Sequence, residues 1–299
     1  MEGTTVRLAE SRSAGIRLMA YEVFLDALTL HPWTGYGWRQ TVLAQFAVAP
    51  HHGEANGMFQ YAHSVALDML VWCGIPLGLA ILTALAVWFA RMVLAVKTGT
   101  NALLLMVLIV LGVHSMLEFP FAYGYFLWPA GIIAGVLNAQ CGRVWFRFGN
   151  RSVLVASWLV VGAMTLVVVR DYLLAEESFR DRRFELNRVN EFKAGPVPRL
   201  YILTQLEALL HAGRTEAYAG MTDEEIMLRR DAFLGLSNVP NAFYLAKALA
   251  MNGQAEEARH WQLGLNRVFS PTRLKPVIAD WNAQALKSPE MAKVPWPQP

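Results

Sequence analysis

Apolar and polar residues are unevenly distributed along this 299-residue chain, because long apolar runs dominate its middle and mixed polarity dominates its end. A membrane-spanning helix needs about 20 mostly apolar residues. Runs of this kind predict four spans, at about residues 74–96, 102–119, 122–138 and 152–169. The second and third spans are separated by a short turn, which predicts a tight antiparallel pair of helices.

The segment ahead of the first span, residues 1–73, is amphipathic rather than uniformly apolar. Apolar positions recur at helical spacing over residues 16–30, and the pattern stops at His31-Pro32, because proline disfavours a helical residue before it. The segment is therefore predicted to contain an amphipathic helix, followed by the turn TGYGW and a polar loop.

A second short helix is predicted over residues 63–72, directly before the first span. The sequence CGIPLG follows it, and Gly74 and Pro76 favour a break between this short helix and the span. Asp68 lies within the short helix. Because a carboxylate is costly in lipid, we expect Asp68 to face protein or water.

Residues 170–299 have the mixed polarity of a water-exposed helical domain. One helix is predicted from Leu200 to Gly213, and a pair of helices on either side of a turn at Asn252-Gly253. This pair resembles a single tetratricopeptide-type hairpin, in which small residues let the helices pack closely. The small residues are Ala246, Ala250 and Ala258. The final segment, SPEMAKVPWPQP, is predicted to be a loose end.

Composition supports an all-α polytopic membrane protein, since 55% of the residues are hydrophobic and only 16% are charged. The net charge of +3 comes without a dense basic cluster, so nucleic-acid binding is not indicated. The two cysteines, Cys73 and Cys141, fall in or beside apolar segments, and their placement argues against a disulfide or a metal site.

Basic residues beside the spans predict the orientation, because Lys and Arg favour the cytoplasmic side. They flank the loops after the first and third spans: Arg91, Lys97, Arg143, Arg147 and Arg151. The turn between the second and third spans has none. Residues 1–73, this turn and residues 170–299 are therefore predicted to lie outside the cytoplasm, which in a bacterium is the periplasm.

Two stretches carry a resemblance to a known family. HPWTGYGW, followed by a loop, AHS, a short apolar helix and GIP, is similar to the O-antigen ligase and polymerase family. HSMLEFPFAYGYFLWPAG, residues 114–131, closely resembles the segment that marks the bacterial protein O-oligosaccharyltransferase branch. Two features depart from the pattern: Ser64 stands where the family usually has asparagine, and four spans stand in place of about a dozen. The chain resembles the C-terminal portion of such an enzyme.

The resemblance implies a bacterial inner-membrane glycosyltransferase that uses an oligosaccharide linked to undecaprenyl diphosphate. The acceptor would be a serine or threonine hydroxyl of pilin or another periplasmic protein, and no metal or other cofactor is implied. His63 matches the loop histidine of the family and is the candidate base or acceptor-orienting group. Arg39 and Arg17 are candidate contacts of the diphosphate. His114 and Glu118 belong to the second signature and are candidate substrate-binding residues.

Simpler interpretations stay open for each of these residues. His63 can be a solvated residue at a helix start, the arginines can contact lipid headgroups, and Glu118 can stabilise its turn. His51 and His52 resemble a metal pair but lack a third ligand at suitable spacing, so a loop role is favoured. Two other functions also remain: an O-antigen ligase or polymerase with a sugar acceptor, and a non-enzymatic membrane anchor that presents a helical domain.

Overall fold

The computed structural model describes residues 2–53, 55, 57–141, 150–189 and 193–298, with the side chains of residues 2–14 left out. All regular secondary structure within these ranges is helical. The chain divides into two compact units, Met1–Arg147 and Phe148–Pro299. The predicted all-α class is confirmed for the described residues. Arg143 and Arg147, which contributed to the predicted orientation, lie outside them.

The first unit contains the amphipathic segment and three apolar helices. Its helices are α1 Glu2–Leu30, α2 Thr41–Val48, α3 Val65–Ala95, α4 Gly99–Ser115 and α5 Gly124–Cys141, with 3-10 turns at Ala49–His51 and Pro120–Ala122. Helix α1 ends directly before His31-Pro32, as predicted. Helix α2 was not predicted, since eight residues are too few to show a helical period. Its side chains are mostly buried against α1 and α3.

The predicted break in α3 is confirmed. Gly74 has φ 74° and ψ 170°, which lies outside helical geometry and in a region open mainly to glycine. The helix begins at Val65 rather than at residue 63, and Ser64 is its N-cap. Because of the break, the carbonyls of Val71 and Trp72 lose their usual helical partners: Ile75 bonds elsewhere, and Pro76 has no N–H.

The HPWTGYG turn after α1 satisfies those groups. Three backbone hydrogen bonds join the turn to the break: Tyr36 N to Val71 O at 2.8 Å, Gly37 N to Trp72 O at 3.0 Å, and Ile75 N to Pro32 O at 2.7 Å. The two ends of the first family signature, the HPWTGYGW turn and the GIP sequence that contains the break, are therefore joined in one structural feature. We call this pairing the clasp, and it attaches α1 to the first apolar helix.

Glycines make the clasp possible. A Cβ added to Gly35 would lie 2.5 Å from Val71 O, and one added to Gly74 would lie 2.5 Å from the Trp33 carbonyl. Both glycines also have positive φ, which other residues rarely adopt. The two backbones can approach this closely only because neither residue has a side chain.

Two described helices are long and apolar enough to cross a membrane: α3, and α6 Arg151–Leu186 in the second unit. Helix α4 is apolar but has 17 residues, and it packs against α5 around Leu105, Leu108 and Leu137. A topology with four spans remains a prediction. Helix α6 continues without a break past residue 169, where the sequence predicted the end of a span.

The second unit continues from α6 into short, closely packed helices. They are α7 Thr204–Ala212, α8 Asp223–Gly235, α9 Val239–Met251, α10 Ala255–Val268, α11 Pro271–Ala285 and α12 Pro289–Ala292. Helix α7 packs on α8, α8 on α9, and α9 on α10. The predicted start at Leu200 is wrong, because Asp171 accepts hydrogen bonds from the amides of residues 201–203 and these residues stay outside the helix, which begins at Thr204.

The predicted hairpin at Asn252-Gly253 is confirmed as α9 and α10, with Gly253 at φ 79°. The three small residues between its helices, Ala246, Ala250 and Ala258, are all buried. A tetratricopeptide-like identity for this unit stays a prediction.

The predicted loose end is wrong. Met291, Val294 and Trp296 are buried, and Trp281 donates a hydrogen bond to the Val294 carbonyl at 3.0 Å. Trp296 in turn donates to the Asn266 side chain at 2.9 Å. The final segment is ordered because its apolar residues complete the aromatic core around Trp281.

Candidate functional site

Three of the predicted site residues meet at one carboxylate. Glu118 Oε1 accepts a hydrogen bond from Arg17 Nη2 at 2.7 Å, and Glu118 Oε2 lies 3.0 Å from His63 Nδ1. Arg17 comes from α1, His63 from the loop before α3, and Glu118 from the turn after α4. We call these three residues the Glu118 cluster. Its members are about one quarter to one third exposed, so the cluster can be reached from solvent.

The turn after α4 positions Glu118. The Glu118 amide donates a hydrogen bond to the His114 carbonyl at 2.9 Å. This bond has the spacing of a helical hydrogen bond and lies just beyond the end of α4 at Ser115. The His114 side chain itself is exposed. His114 therefore supports the cluster through its backbone, and a substrate contact by its imidazole remains a prediction.

Glu118 is held in its charged form. Partial burial acts to raise its pKa, but hydrogen bonds and charge from Arg17 and His63 together lower the pKa of Glu118 below its ordinary value. An ionised carboxylate can only accept hydrogen bonds. The nitrogen that faces it, His63 Nδ1, is therefore the one that carries a proton. In a neutral His63 ring the lone pair then lies on Nε2, on the side away from Glu118.

His63 has a backbone conformation that is uncommon for a residue other than glycine. Its φ is 56°, in the left-handed region, where non-glycine residues are uncommon and functional residues recur. The Tyr21 hydroxyl donates a hydrogen bond to the His63 carbonyl at 3.4 Å, and the ring of Phe119 meets the imidazole edge-on at 5.2 Å. These contacts fix the ring against the residue that follows Glu118.

Aromatic packing joins the loop that carries His63 to the second signature. The rings of Tyr61 and Phe119 stack at 4.9 Å with 14° between their planes, and Phe121 meets Tyr61 edge-on at 5.7 Å. Trp72 of α3 also contacts the Phe121 ring. The aromatic residues around Glu118 therefore hold two distant sequence segments together, and this explains how a turn between apolar helices reaches the loop.

Arg39 belongs to a different segment from the three that form the Glu118 cluster. It follows Trp38 at the end of the clasp turn, with φ 63° and an exposed side chain. Within the part of the chain that the structure describes, it takes no part in the hydrogen bonds of the Glu118 cluster. A contact between Arg39 and a diphosphate remains a prediction.

Asp68 faces protein, as expected, and its contacts were not foreseen. It is fully buried and accepts hydrogen bonds from the Ala62 amide at 2.9 Å and the Thr41 hydroxyl at 3.2 Å. The sequence signal was present as an aspartate in an apolar helix, but its partners lie 6 and 27 positions away.

The adjacent histidines 51 and 52 do not form a metal cluster with a third ligand in the described ranges. His52 Nε2 lies 3.0 Å from the Asp26 carboxylate of α1, which gives this side chain a protein partner. The pair therefore belongs to a loop that is attached to α1.

Comparison with known proteins decides the family. Residues 102–282 match the family described as virulence factor membrane-bound polymerase, C-terminal. The chain belongs to this family. The matched region contains Glu118 and the second signature together with most of the second unit.

Two curated relatives, both from Acinetobacter baylyi, extend the match. A general O-oligosaccharyltransferase is 29% identical over 292 residues, which cover 96% of this chain and 51% of the relative. A ComP-specific O-oligosaccharyltransferase is 32% identical over 124 residues, or 42% of this chain and 23% of the relative. The resemblance to the O-oligosaccharyltransferase branch is thereby confirmed. The chain spans about half the length of the first relative, and no solved structure matches it.

Proposed function

We propose that this chain supplies the acid–base site of an enzyme that transfers a preassembled oligosaccharide from undecaprenyl diphosphate to a protein hydroxyl. The acceptor in this proposal is a serine or threonine of pilin or another periplasmic protein. The observation that carries it is the Glu118 cluster, which unites the loop histidine of one family signature with the carboxylate of the other. Similarity to two O-oligosaccharyltransferases supports the choice of reaction.

The geometry suggests how the reaction proceeds. The acceptor hydroxyl gives its proton to His63 Nε2 while its oxygen forms a bond to the anomeric carbon of the glycan. The bond between that carbon and the diphosphate oxygen breaks, and undecaprenyl diphosphate leaves with the electron pair. Glu118 accepts a hydrogen bond from Nδ1 of His63, and its negative charge stabilises the imidazolium that forms. The step needs no redox cofactor and no nucleotide sugar.

Arginines meet the charge that develops on the leaving group. Arg17 uses Nη2 to bond Glu118, and its guanidinium has further N–H groups that can face a phosphate. Arg39 is exposed and permanently charged, and it is the second candidate. In this proposal residues 1–73, the turn at Glu118 and residues 170–299 lie in the periplasm, and four helices cross the inner membrane.

The test is substitution of His63 in the full-length gene product that contains this chain. His63→Asn is suitable because asparagine tolerates a positive φ but cannot act as a base at neutral pH. We expect the rate of glycan transfer to purified pilin to fall by about 10²–10⁴-fold. Intact-mass analysis of the pilin measures this rate. His51→Asn, an exposed histidine of the same loop, serves as the matched control and should retain the wild-type rate.

Three results would contradict the proposal. Normal transfer by the His63→Asn protein would remove His63 from the chemistry. Unmodified pilin together with lipopolysaccharide that gains O-antigen would show that the acceptor is a sugar, as in the ligase alternative. Transfer that survives in every variant of the Glu118 cluster would favour a membrane anchor without catalytic function.

A further inference from the structure

A chain of buried hydrogen bonds lies behind the Glu118 cluster. The Trp72 indole donates to the Thr41 hydroxyl at 2.8 Å, and Thr41 donates to Asp68 Oδ1 at 3.2 Å. The same oxygen accepts the amide of Ala62 at 2.9 Å. Thr41, Asp68 and Ala62 are fully inaccessible to solvent, and Trp72 is nearly so.

Burial of the Asp68 carboxylate has an unfavourable free energy that a purely structural contact would not require. A buried carboxylate costs several kcal/mol unless it is fully paired. Within the described residues, Asp68 Oδ2 has no hydrogen-bond partner. An apolar side chain at this position would avoid that cost. The contacts of Asp68 with the loop are the feature that an apolar residue would not supply.

The place where Asp68 bonds the loop explains its presence. Ala62 directly precedes His63, whose backbone φ of 56° is disfavoured for a non-glycine residue. A hydrogen bond to the amide at residue 62 restrains the chain at the point where it enters this conformation. From the other side, the Tyr21 hydroxyl bonds the His63 carbonyl. These two hydrogen bonds therefore flank the residue whose imidazole contacts Glu118.

We propose that Asp68, supported by Thr41 and Trp72, is a positioning residue that sets the direction of the His63 imidazole for proton transfer. This inference rests on the proposed function. Asp68 does not touch the reacting groups in this view. It acts through the backbone of residue 62. Its loss should therefore lower the turnover rate rather than the affinity for the acceptor.

A neighbouring buried residue provides a matched control. Gln45 is also buried in α2 and also accepts a loop amide, that of Phe59, at 2.8 Å, while its own amide donates to the Gly57 carbonyl. Gln45 and Asp68 thus attach the same loop at different points. Only the contact of Asp68 lies beside His63, so loss of general loop stability can be separated from loss of imidazole positioning.

The experiment compares Asp68→Asn, Asp68→Leu, Thr41→Val and Gln45→Leu in the full-length gene product. The donor is undecaprenyl diphosphate-linked oligosaccharide, and the acceptor is purified pilin. Asparagine retains an acceptor oxygen for Ala62, so Asp68→Asn should keep a near-normal kcat. Asp68→Leu should lower kcat by about 10²-fold with little change in KM for pilin, because small misplacements of a catalytic group have effects of this size.

Thr41→Val removes one bond to Asp68 and keeps the side-chain volume. It should lower kcat less than Asp68→Leu does, and it provides a result even if Asp68→Leu fails to fold. Gln45→Leu should lower the melting temperature while its kcat stays near that of wild type.

A double substitution identifies the route of the effect. In a His63→Asn background, Asp68→Leu or Thr41→Val should cause no further loss of rate. The reason is that the effects of substitutions at residues that act through one group do not add. Additive losses, or equal losses of kcat in Gln45→Leu and Thr41→Val, would overturn the positioning role. If His63→Asn itself retains activity, the proposed function fails first. If only His63→Asn loses activity, the present inference alone is wrong.

Discussion

The two units contain similar charged side chains but use them differently. In the first unit, Arg17, His63 and Glu118 come from three separate segments and stay partly open to solvent. In the second unit, Arg230 and Glu257 join α8 to α10 in a two-pronged ion pair. The comparison teaches that residue type alone does not mark a site. The Arg230–Glu257 pair is exposed to a similar degree, so what distinguishes the Glu118 cluster is the convergence of three distant segments and the strained backbone of His63.

Helix ends show the same contrast. Helix α8 begins with a complete capping box, in which the Thr222 side chain and Glu225 exchange hydrogen bonds with each other's backbone amides. In α3, the N-cap Ser64 makes no side-chain capping bond, and the neighbouring carboxylate of Asp68 holds the loop instead. The capping contacts of α8 stay within four residues, whereas Asp68 bonds the amide of a residue that precedes its own helix and the hydroxyl of Thr41 in α2.

One of the two largest effects should follow from a change in the clasp. Gly74→Ala combines a positive φ with a contact of 2.5 Å to the Trp33 backbone, so we expect the first unit to lose about 3 kcal/mol or more. Limited proteolysis of the detergent-purified protein would then cut residues 31–64 faster. Gly131→Ala is the control, because a Cβ there meets nothing within 4 Å. Equal protease resistance in the two variants would show that the clasp does not stabilise the unit.

The corresponding change in the second unit is Trp281→Ala. Trp281 is fully buried against Phe243 and Trp296, and its removal leaves a large cavity. We expect a loss of about 3–5 kcal/mol and rapid proteolysis within residues 271–298. Leu286→Ala changes an exposed apolar residue of the same region and should have little effect. A similar result for both variants would mean that the final segment is not part of the core.

The smallest effect concerns the pH dependence of the Glu118 cluster. The pKa of Glu118 is lowered in the folded protein, so ionisation of Glu118 stabilises the fold at any pH above the ordinary pKa of 4.5. This contribution is lost as the pH falls through the lower pKa that Glu118 has in the folded protein. The Glu118 side chain is 36% exposed, so solvent screens its ion pairs. The free energy of unfolding of Glu118→Gln should therefore differ from that of wild type by less than about 1 kcal/mol.

Melting temperatures of wild type and Glu118→Gln near pH 7 and below pH 4 would measure this contribution. Wild type should be slightly more stable at neutral pH, and the difference should shrink in acid. Glu22→Gln, an exposed change on α1, should show no such trend. A gap between wild type and Glu118→Gln that stays constant with pH would argue against the ion pairs of the cluster.

Local rules determined much of the secondary structure from the sequence. The end of α1 before His31-Pro32, the break at Gly74 and the turn at Asn252-Gly253 depend on the backbone preferences of proline and glycine, which act over a few residues. The family signatures also predicted His63 and Glu118 as candidate site residues, and the family resemblance added Arg17, which precedes the first signature.

Tertiary structure alone decided what these residues do together. Glu118 is 101 positions from Arg17 and 55 from His63, and no periodicity in the sequence measures such a separation. The same limit applies to α2, whose eight residues become a helix by packing on α1 and α3, and to the final segment, which is ordered only because Trp281 offers a buried partner. Local preference determines where the chain turns, while burial and long-range hydrogen bonds determine which side chains meet.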